Sequence, residues 1–128
     1  MDTIAAIATP PGQGAVAVLR VSGPEAIAIA DRVFKSSKCK PSELESRVQS
    51  LGAIRDKQTH LDSVLLTVFR KPSSFTGEDV VEIACHGGVL VTRRILELLL
   101  RSGASPADPG EFTRRAFLNA KLDLTQAE

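Results

Sequence analysis

The segment between residues 74 and 88 constrains the fold most, because an apolar run there contains a single acid. The run Val80-Val81-Glu82-Ile83-Ala84-Cys85 is rich in β-branched residues, which is typical of a strand that is buried on both faces. Burying a carboxylate without a partner is unfavourable. Glu82 therefore either meets a hydrogen-bond donor inside the sheet or belongs to an edge strand and faces water. The diglycine Gly87-Gly88 predicts that a helix begins next, and the free N–H groups of a helix start attract polar or anionic groups.

Short apolar segments elsewhere in the chain predict the other strands. Alternation in residues 15–21 puts Val16, Val18 and Arg20 on one face of a strand and leaves the opposite face apolar. Arg20 either extends to the rim of the sheet or points at an anion or a carboxylate. The remaining predicted strands are residues 4–8, 48–54, 61–69 and 104–107. The second and third of these form an antiparallel hairpin, and the longest, 61–69, is expected to be covered on both faces.

Three helices are predicted to flank the sheet. The first begins at a capping box with Pro in its first turn, Ser22-Gly23-Pro24-Glu25. Its apolar side consists of Ile27, Ala30, Val33 and Phe34. The second covers residues 89–102 and ends at Gly103. The third takes Asp108 as its N-cap and places three apolar residues at helical spacing, namely Phe112, Ala116 and Phe117. These elements predict an α+β domain with a mixed or antiparallel sheet and flanking helices.

Composition and charge limit the classes of function. The 128 residues fit one domain, and 16 basic against 15 acidic residues give a net charge of +1. That balance gives no direct signal for nucleic-acid binding, and the absence of Trp and Tyr argues against a base-stacking surface. Cys39 and Cys85 are predicted to be free thiols in a reducing compartment. Since neither a membrane span nor a secretory signal is recognisable, we expect a cytoplasmic protein without membrane contact.

The motifs exclude several chemistries and leave three charged residues. The segment Gly12-Gln13-Gly14 lacks the third glycine of a dinucleotide-binding loop, and no G-x-x-x-x-G-K-[ST] phosphate loop occurs. The histidines do not have the spacing of metal ligands, and we recognise no catalytic constellation. Arg20, Glu82 and Lys121 remain, each on a separate element. A carboxylate can accept two parallel hydrogen bonds from an amidine-like edge such as that of a pterin, so a ligand site is one interpretation of this set.

Five motifs occur in order between residue 2 and the end of the chain. They are Ala8-Thr9-Pro10-Pro11-Gly12-x-Gly14, Leu19-Arg20-x-Ser22-Gly23, Phe75-Thr76-Gly77-Glu78-Asp79-Val80-x-Glu82, Cys85-His86-Gly87-Gly88 and Pro109-Gly110-Glu111-Phe112-x-x-Arg115-Ala116-Phe117-Leu118-Asn119-x-Lys121-Leu122-Asp123-Leu124. Together they resemble the N-terminal domain of the TrmE (MnmE) family of tRNA-modifying GTPases. Each motif alone is a weak signal, whereas five in register are specific.

This resemblance implies a fold and a ligand. The fold would be similar to half of the tetrahydrofolate-binding domain of aminomethyltransferases, and a homodimer would complete it. The family binds 5-formyltetrahydrofolate or a related tetrahydrofolate, and its ligand-contacting positions match Arg20, Glu82 and Lys121. Residues 1–120 would form this folate-binding domain, and residues 121–128 would begin a following helical domain of a longer chain.

The resemblance also implies a role for a full-length protein. That protein would act with its partner MnmG (GidA) to add an aminomethyl or carboxymethylaminomethyl group to the wobble uridine of tRNA. A tetrahydrofolate derivative would supply the one-carbon unit. GTP, Mg and K ions would bind in a GTPase domain that these residues lack, so the fragment alone is expected to be non-catalytic.

Two alternatives remain open at the level of the sequence. The chain could be a structural dimerisation domain whose three charged residues form an internal salt-bridge cluster and bind no ligand. The domain could also carry out aminomethyl transfer itself, although no acid or base with a matched partner is recognisable in the sequence.

Overall fold

The computed structural model describes residues 2–9 and 16–119, and in that part of the chain one seven-stranded sheet carries three α-helices. The strands are β1 (Ile4–Ile7), β2 (Val16–Ser22), β3 (Phe34–Lys35), β4 (Gln49–Asp56), β5 (Thr59–Phe69), β6 (Val80–His86) and β7 (Ser105–Pro106). The α-helices are α1 (Ala26–Val33), α2 (Val89–Arg101) and α3 (Glu111–Leu118), and a 3₁₀ turn covers Pro41–Glu43. The prediction of an α+β domain with a mixed sheet is confirmed.

The order of the strands places β6 inside the sheet. The order is β3-β4-β5-β6-β2-β1-β7, and neighbouring strands are antiparallel except β1 and β7, which are parallel. The outermost strands, β3 and β7, have two residues each. Because β6 pairs with β5 on one side and β2 on the other, the edge-strand interpretation of Glu82 is wrong. The predicted hairpin is confirmed as β4 and β5.

The hydrophobic core lies between one face of the sheet and helices α1 and α2. Strand β2 contributes Ala17, Leu19 and Val21, the face that alternation predicts to be apolar. Helix α2 contributes three buried residues on one side, Ile95, Leu98 and Leu99. It ends where predicted, because Gly103 follows with φ +126, a conformation that favours glycine. The opposite face of the sheet carries Arg20 and Glu82, which are paired across β2 and β6.

The predicted start of α1 is wrong by one turn. Ser22 is the last residue of β2 rather than a helix cap, because its hydroxyl lies 2.7 Å from the Thr76 hydroxyl and donates to Glu78. The chain turns at Gly23, whose φ is +140 and whose position next to the Thr3 Cα leaves no room for a side chain. Helix α1 therefore begins at Ala26. Its buried residues are Ala26, Ile29, Ala30 and Val33, and the predicted Ile27 is partly buried against the core. The predicted Phe34 is buried but begins β3 instead of belonging to α1.

The structure also corrects the predicted start and apolar side of α3 and the predicted burial of β5. Helix α3 begins at Glu111, after Gly110 with φ +72, and not from an Asp108 cap. Its buried residues are Glu111, Arg115 and Ala116, whereas Phe117 is exposed. Strand β5 is covered on both faces only near its end, since Leu65 is exposed on the face away from the core.

The C-terminal boundary at residues 120 and 121 lies outside the described residues and stays a prediction. Within residues 2–9 and 16–119, no helix has the length and hydropathy needed to cross a bilayer.

Candidate ligand-binding cleft

Arg20 and Glu82 are directly opposite each other on neighbouring strands. The register of β2 and β6 pairs them, and the Arg20 Nε donates to the Glu82 Oε2 at 3.1 Å. Both side chains are partly exposed, at 23% and 30%. Of the predicted site residues, these two are therefore brought together. Lys121 lies outside the described residues, so its part in the site stays a prediction.

Two phenylalanine rings flank the Arg20 guanidinium. The Arg20 Cζ lies 5.1 Å from the centre of the Phe75 ring and 5.3 Å from that of Phe112. These distances allow attraction between a cation and the faces of both rings. Sequence reasoning did not assign Phe75 to the site and assigned Phe112 to the apolar side of α3. The only signal was that both belong to motifs that also contain charged residues.

The guanidinium and the two rings line a cleft of about 380 Å³. The cleft is bounded by the end of β1, by Arg20, by the loop before β6 and by the start of α3. Its other lining residues include Asp108, Pro109 and Thr113. Arg20 faces the cleft, whereas Glu82 contacts Arg20 from the neighbouring strand. A cleft of this size with a cation and aromatic walls suits a planar, partly anionic small molecule.

A buried ion cluster lies beside the cleft, and we call Arg115, Glu78 and Glu111 the Arg115 cluster. Arg115 is 3% exposed. Its Nη1 donates to Glu78 Oε1 and Oε2 at 3.0 and 3.3 Å, and its Nη2 donates to Glu111 Oε2 at 3.0 Å. The pKa of Glu111 is held below its usual value, first by the Asp108 backbone N–H and then by Arg115, against the opposing effect of burial. The i,i+4 spacing of Glu111 and Arg115 was the sequence signal for part of this cluster.

The Cys85-His86 pair has no arrangement for nucleophilic chemistry. Cys85 is buried, and burial followed by the nearby Asp62 charge raises the pKa of its thiol to about 11. His86 points away from the core and places Nδ1 2.7 Å from Asp62 Oδ1. The prediction that these residues serve packing and strand termination fits this geometry. Among residues 2–9 and 16–119, no three His, Cys, Asp or Glu side chains form a candidate metal site.

The sheet face that carries Arg20 continues into an uncovered apolar row. The register aligns Leu51, Leu65, Ala84 and Val18 across β4, β5, β6 and β2, and we call these residues the apolar row. Leu51 is 69% exposed and Leu65 is 40% exposed. A shallow depression of about 240 Å³ lies over this part of the sheet. Exposed apolar groups in contiguous rows are typical of interaction surfaces.

The fold and the cleft define a class of protein, an α+β domain that presents a cation between aromatic rings beside an open apolar sheet face. Comparison with known proteins makes the assignment specific. Residues 3–121 match the family described as "GTP-binding protein TrmE N-terminus". The chain belongs to this family.

Relatives of high identity are similar over the whole chain. The tRNA modification GTPase MnmE of Listeria welshimeri is 57% identical over 127 residues, which are 99% of this chain and 28% of that protein. The proteins of the same name from Chlamydia caviae and Bacillus licheniformis are 56% and 52% identical, over 99% and 100% of this chain. The chain thus spans 28% of the length of each of these relatives.

Proposed function

We propose that this chain is the folate-binding and dimerisation module of a GTPase that modifies the wobble uridine of tRNA. The modification would add an aminomethyl or carboxymethylaminomethyl group, with the one-carbon unit supplied by a tetrahydrofolate derivative. Membership of the TrmE N-terminal family supports this role, as do relatives named tRNA modification GTPase MnmE. The likeness to half of an aminomethyltransferase-type domain belongs to the same proposal.

The observation that carries the folate proposal is the Arg20 guanidinium between two aromatic rings at a cleft. The rings of Phe75 and Phe112 offer flat apolar surfaces to a heterocycle, and Arg20 offers hydrogen-bond donors to a carboxylate or a carbonyl oxygen. The Glu82 carboxylate does not line the cleft but lies next to Arg20, and it would accept paired N–H groups from the amidine-like edge of a pterin that extends past Arg20. The cation and the two rings of the cleft support 5-formyltetrahydrofolate as the proposed ligand.

The roles of the chain's own residues follow from this arrangement. Glu82 would hold the pterin edge, while Arg20 and Lys121 would orient the remaining polar groups of the ligand. The folate, when bound, would be the source of the one-carbon unit. This chain would bind and position it, and the transfer itself would need the rest of the longer protein.

The other components that tRNA modification needs would be bound by the rest of that longer protein. We propose that it binds GTP with Mg and K ions in a separate domain, works with MnmG on tRNA and is located in the cytoplasm. The absence of a phosphate loop from these 128 residues is consistent with a separate GTP site.

A homodimer would be formed through the sheet face that contains the apolar row. The row lies two residues along each of β2 and β6 from Arg20 and Glu82, so a second copy on this face would come next to the cleft. Burying apolar side chains such as Leu51 and Leu65 would favour association. The site would then be completed by the second copy.

One observation favours a second candidate, a structural dimerisation domain without a ligand. Arg20 and Glu82 already satisfy each other through a 3.1 Å hydrogen bond, as an internal salt bridge would require. The two candidates differ in whether the pair contacts a ligand. Titration can therefore separate them.

Calorimetric titration of the chain with 5-formyltetrahydrofolate tests the proposal. We expect binding by the unaltered chain, and we expect Glu82→Gln to weaken it by about 1–3 kcal/mol, roughly 5- to 150-fold, because one charged hydrogen-bond partner is lost. The matched control is Glu97→Gln, the same change on the exposed surface of α2.

The outcomes decide between the candidates. No heat from a folded, dimeric chain at millimolar ligand would favour the structural domain. Binding that Glu82→Gln leaves unchanged would remove Glu82 from the pterin-binding role while keeping the folate assignment.

A further inference from the structure

The Arg115 cluster connects three separate segments of the chain. Arg115 is on α3, Glu78 is in the loop before β6, and Glu78 Oε1 also accepts a hydrogen bond from the Ser22 hydroxyl at 2.8 Å. Ser22 ends β2 and is fully buried. The cluster therefore ties α3 and the loop to the strand that carries Arg20.

A second set of contacts strengthens the same connection. The Asn119 Nδ2, just after α3, donates to the Thr76 carbonyl oxygen at 2.8 Å. Thr76 is fully buried, and its hydroxyl lies 2.7 Å from that of Ser22. The loop is thus held from α3 on one side and from β2 on the other.

Each ring beside Arg20 is attached to one of these connected segments. Phe75 immediately precedes Thr76 in the loop, and Phe112 immediately follows Glu111 on α3. Arg20 is two residues before Ser22 and shares its sheet face. Phe112 is therefore one residue from the Arg115 cluster itself. Phe75 and Arg20 are one and two residues from Thr76 and Ser22, and Ser22 is hydrogen-bonded to Glu78 of the cluster.

The composition of the cluster argues for a positional role. It places two carboxylates and one guanidinium almost out of water, and buried ion pairs of this kind are often no more stabilising than apolar side chains of similar volume. Their strict hydrogen-bond geometry, however, fixes the relative position of the segments that they join. Arg115 donates to both carboxylates through separate nitrogens, which a lysine ammonium cannot reproduce in the same geometry.

We propose that Arg115 is a positioning residue for the cleft, which holds the Phe75 and Phe112 rings against Arg20 through Glu78 and Glu111. Its effect on folate binding rests on the proposed function, whereas its effect on Arg20 does not. Arg115 is not among the residues that line the cleft. Its effect on a ligand would therefore pass through the rings and the loop.

Nuclear magnetic resonance of the Arg20 Nε–H group tests the positioning directly. In protein labelled with ¹⁵N at arginine, the signal is assigned by its loss in Arg20→Lys. We expect Arg115→Lys to move this signal towards that of a solvent-exposed arginine, because Arg20 loses its fixed place between the rings. The matched control is Arg101→Lys, which alters a surface pair with Asp56 and should leave the Arg20 signal in place.

A second variant covers the possibility that Arg115→Lys does not fold. Glu78→Gln keeps the side-chain volume and removes one charge of the cluster, and we expect the same movement of the Arg20 signal. In both variants the affinity for 5-formyltetrahydrofolate should fall by roughly 10-fold or more, as for other residues that orient a binding group. Glu97→Gln again serves as the control for the acid.

The outcomes separate the two proposals. An unmoved Arg20 signal in a folded variant of the Arg115 cluster overturns the positioning role, whatever the affinity. A moved signal in a chain that does not bind 5-formyltetrahydrofolate supports the positioning role and overturns the folate assignment. A moved signal with unchanged affinity overturns the part of the inference that links the rings to ligand binding.

Discussion

The two thiols of the chain have different surroundings, and these predict different reactivity. Cys85 is buried in the core with a pKa raised to about 11, whereas Cys39 is partly exposed in the segment before the 3₁₀ turn. At about pH 8 the thiolate fraction of Cys85 should be roughly a hundredfold below that of a thiol with the ordinary pKa of 9.0. We expect iodoacetamide to label Cys39 and to spare Cys85, as read by mass spectrometry. Equal labelling in native buffer would contradict this burial, and labelling of both in denaturant provides the control.

At the same scale, the side-chain direction of Arg20 could be predicted but its partner could not. A period of two assigns Arg20 to one face of β2, and the structure confirms this face. The partner Glu82 is 62 residues away, so the pairing depends on strand order and register, which local pattern does not determine.

For Arg115, by contrast, the sequence pattern did not predict even the burial of the side chain. A charged residue on a short amphipathic helix is usually exposed, and the burial of Arg115 depends on a partner 37 residues earlier, Glu78, in addition to the local Glu111.

Among the elements, strand β4 depends on a glycine for its contact with β3. A Cβ at Gly52 would lie 2.4 Å from the Phe34 Cζ and 2.6 Å from the Lys35 carbonyl oxygen. Since the second of these is backbone, the clash cannot be relieved by a side-chain rotation. We expect Gly52→Ala to lower the free energy of unfolding by about 1–3 kcal/mol, the usual effect of overpacking, in urea denaturation.

Gly88→Ala is the matched control for this change. A Cβ there would meet nothing within 4 Å, and the backbone at Gly88 has an ordinary φ of −71. The gain from a less flexible unfolded chain and the poorer N-cap of alanine oppose each other, so the net change should stay within about 0.5 kcal/mol. Equal effects of the two substitutions would show that the Gly52 contact is unimportant.

The periodicity of apolar residues predicted which strands and helices exist better than it predicted the residues at which the helices begin. The hairpin and α2 follow from long, regular patterns, which local sequence determines well. The two predicted helix caps failed for different reasons. Ser22 bonds to Thr76 and Glu78, which are 54 and 56 residues away, instead of to a helix N–H. At Asp108 the contact is local, since its backbone N–H donates to Glu111, and the residue before α3 is the left-handed Gly110.

For the whole molecule, the uncovered sheet face predicts self-association. Leu65 is in the middle of the apolar row, and Leu65→Glu would place a charge where the second copy is proposed to pack. We expect this variant to shift the mass measured by light scattering from that of a dimer to that of a monomer, because a buried unpaired charge strongly opposes association. Leu90→Glu is the control, since Leu90 is 61% exposed at the start of α2 and away from the row. A dimer that persists in Leu65→Glu would exclude the row as the interface.

The two-residue strands β3 and β7 also affect how the molecule behaves when it is concentrated. Long, flat edge strands present many unpaired backbone groups and can recruit the edge of another molecule into a growing fibril. Each outer strand of this sheet presents only a two-residue stretch, and β7 is followed by the Asp108 turn into α3. Open-ended strand addition, the first step towards amyloid-like aggregates, is therefore disfavoured at β3 and β7 themselves. In the dimer proposed above, association would instead use the face of the sheet and would end once one partner covers the apolar row.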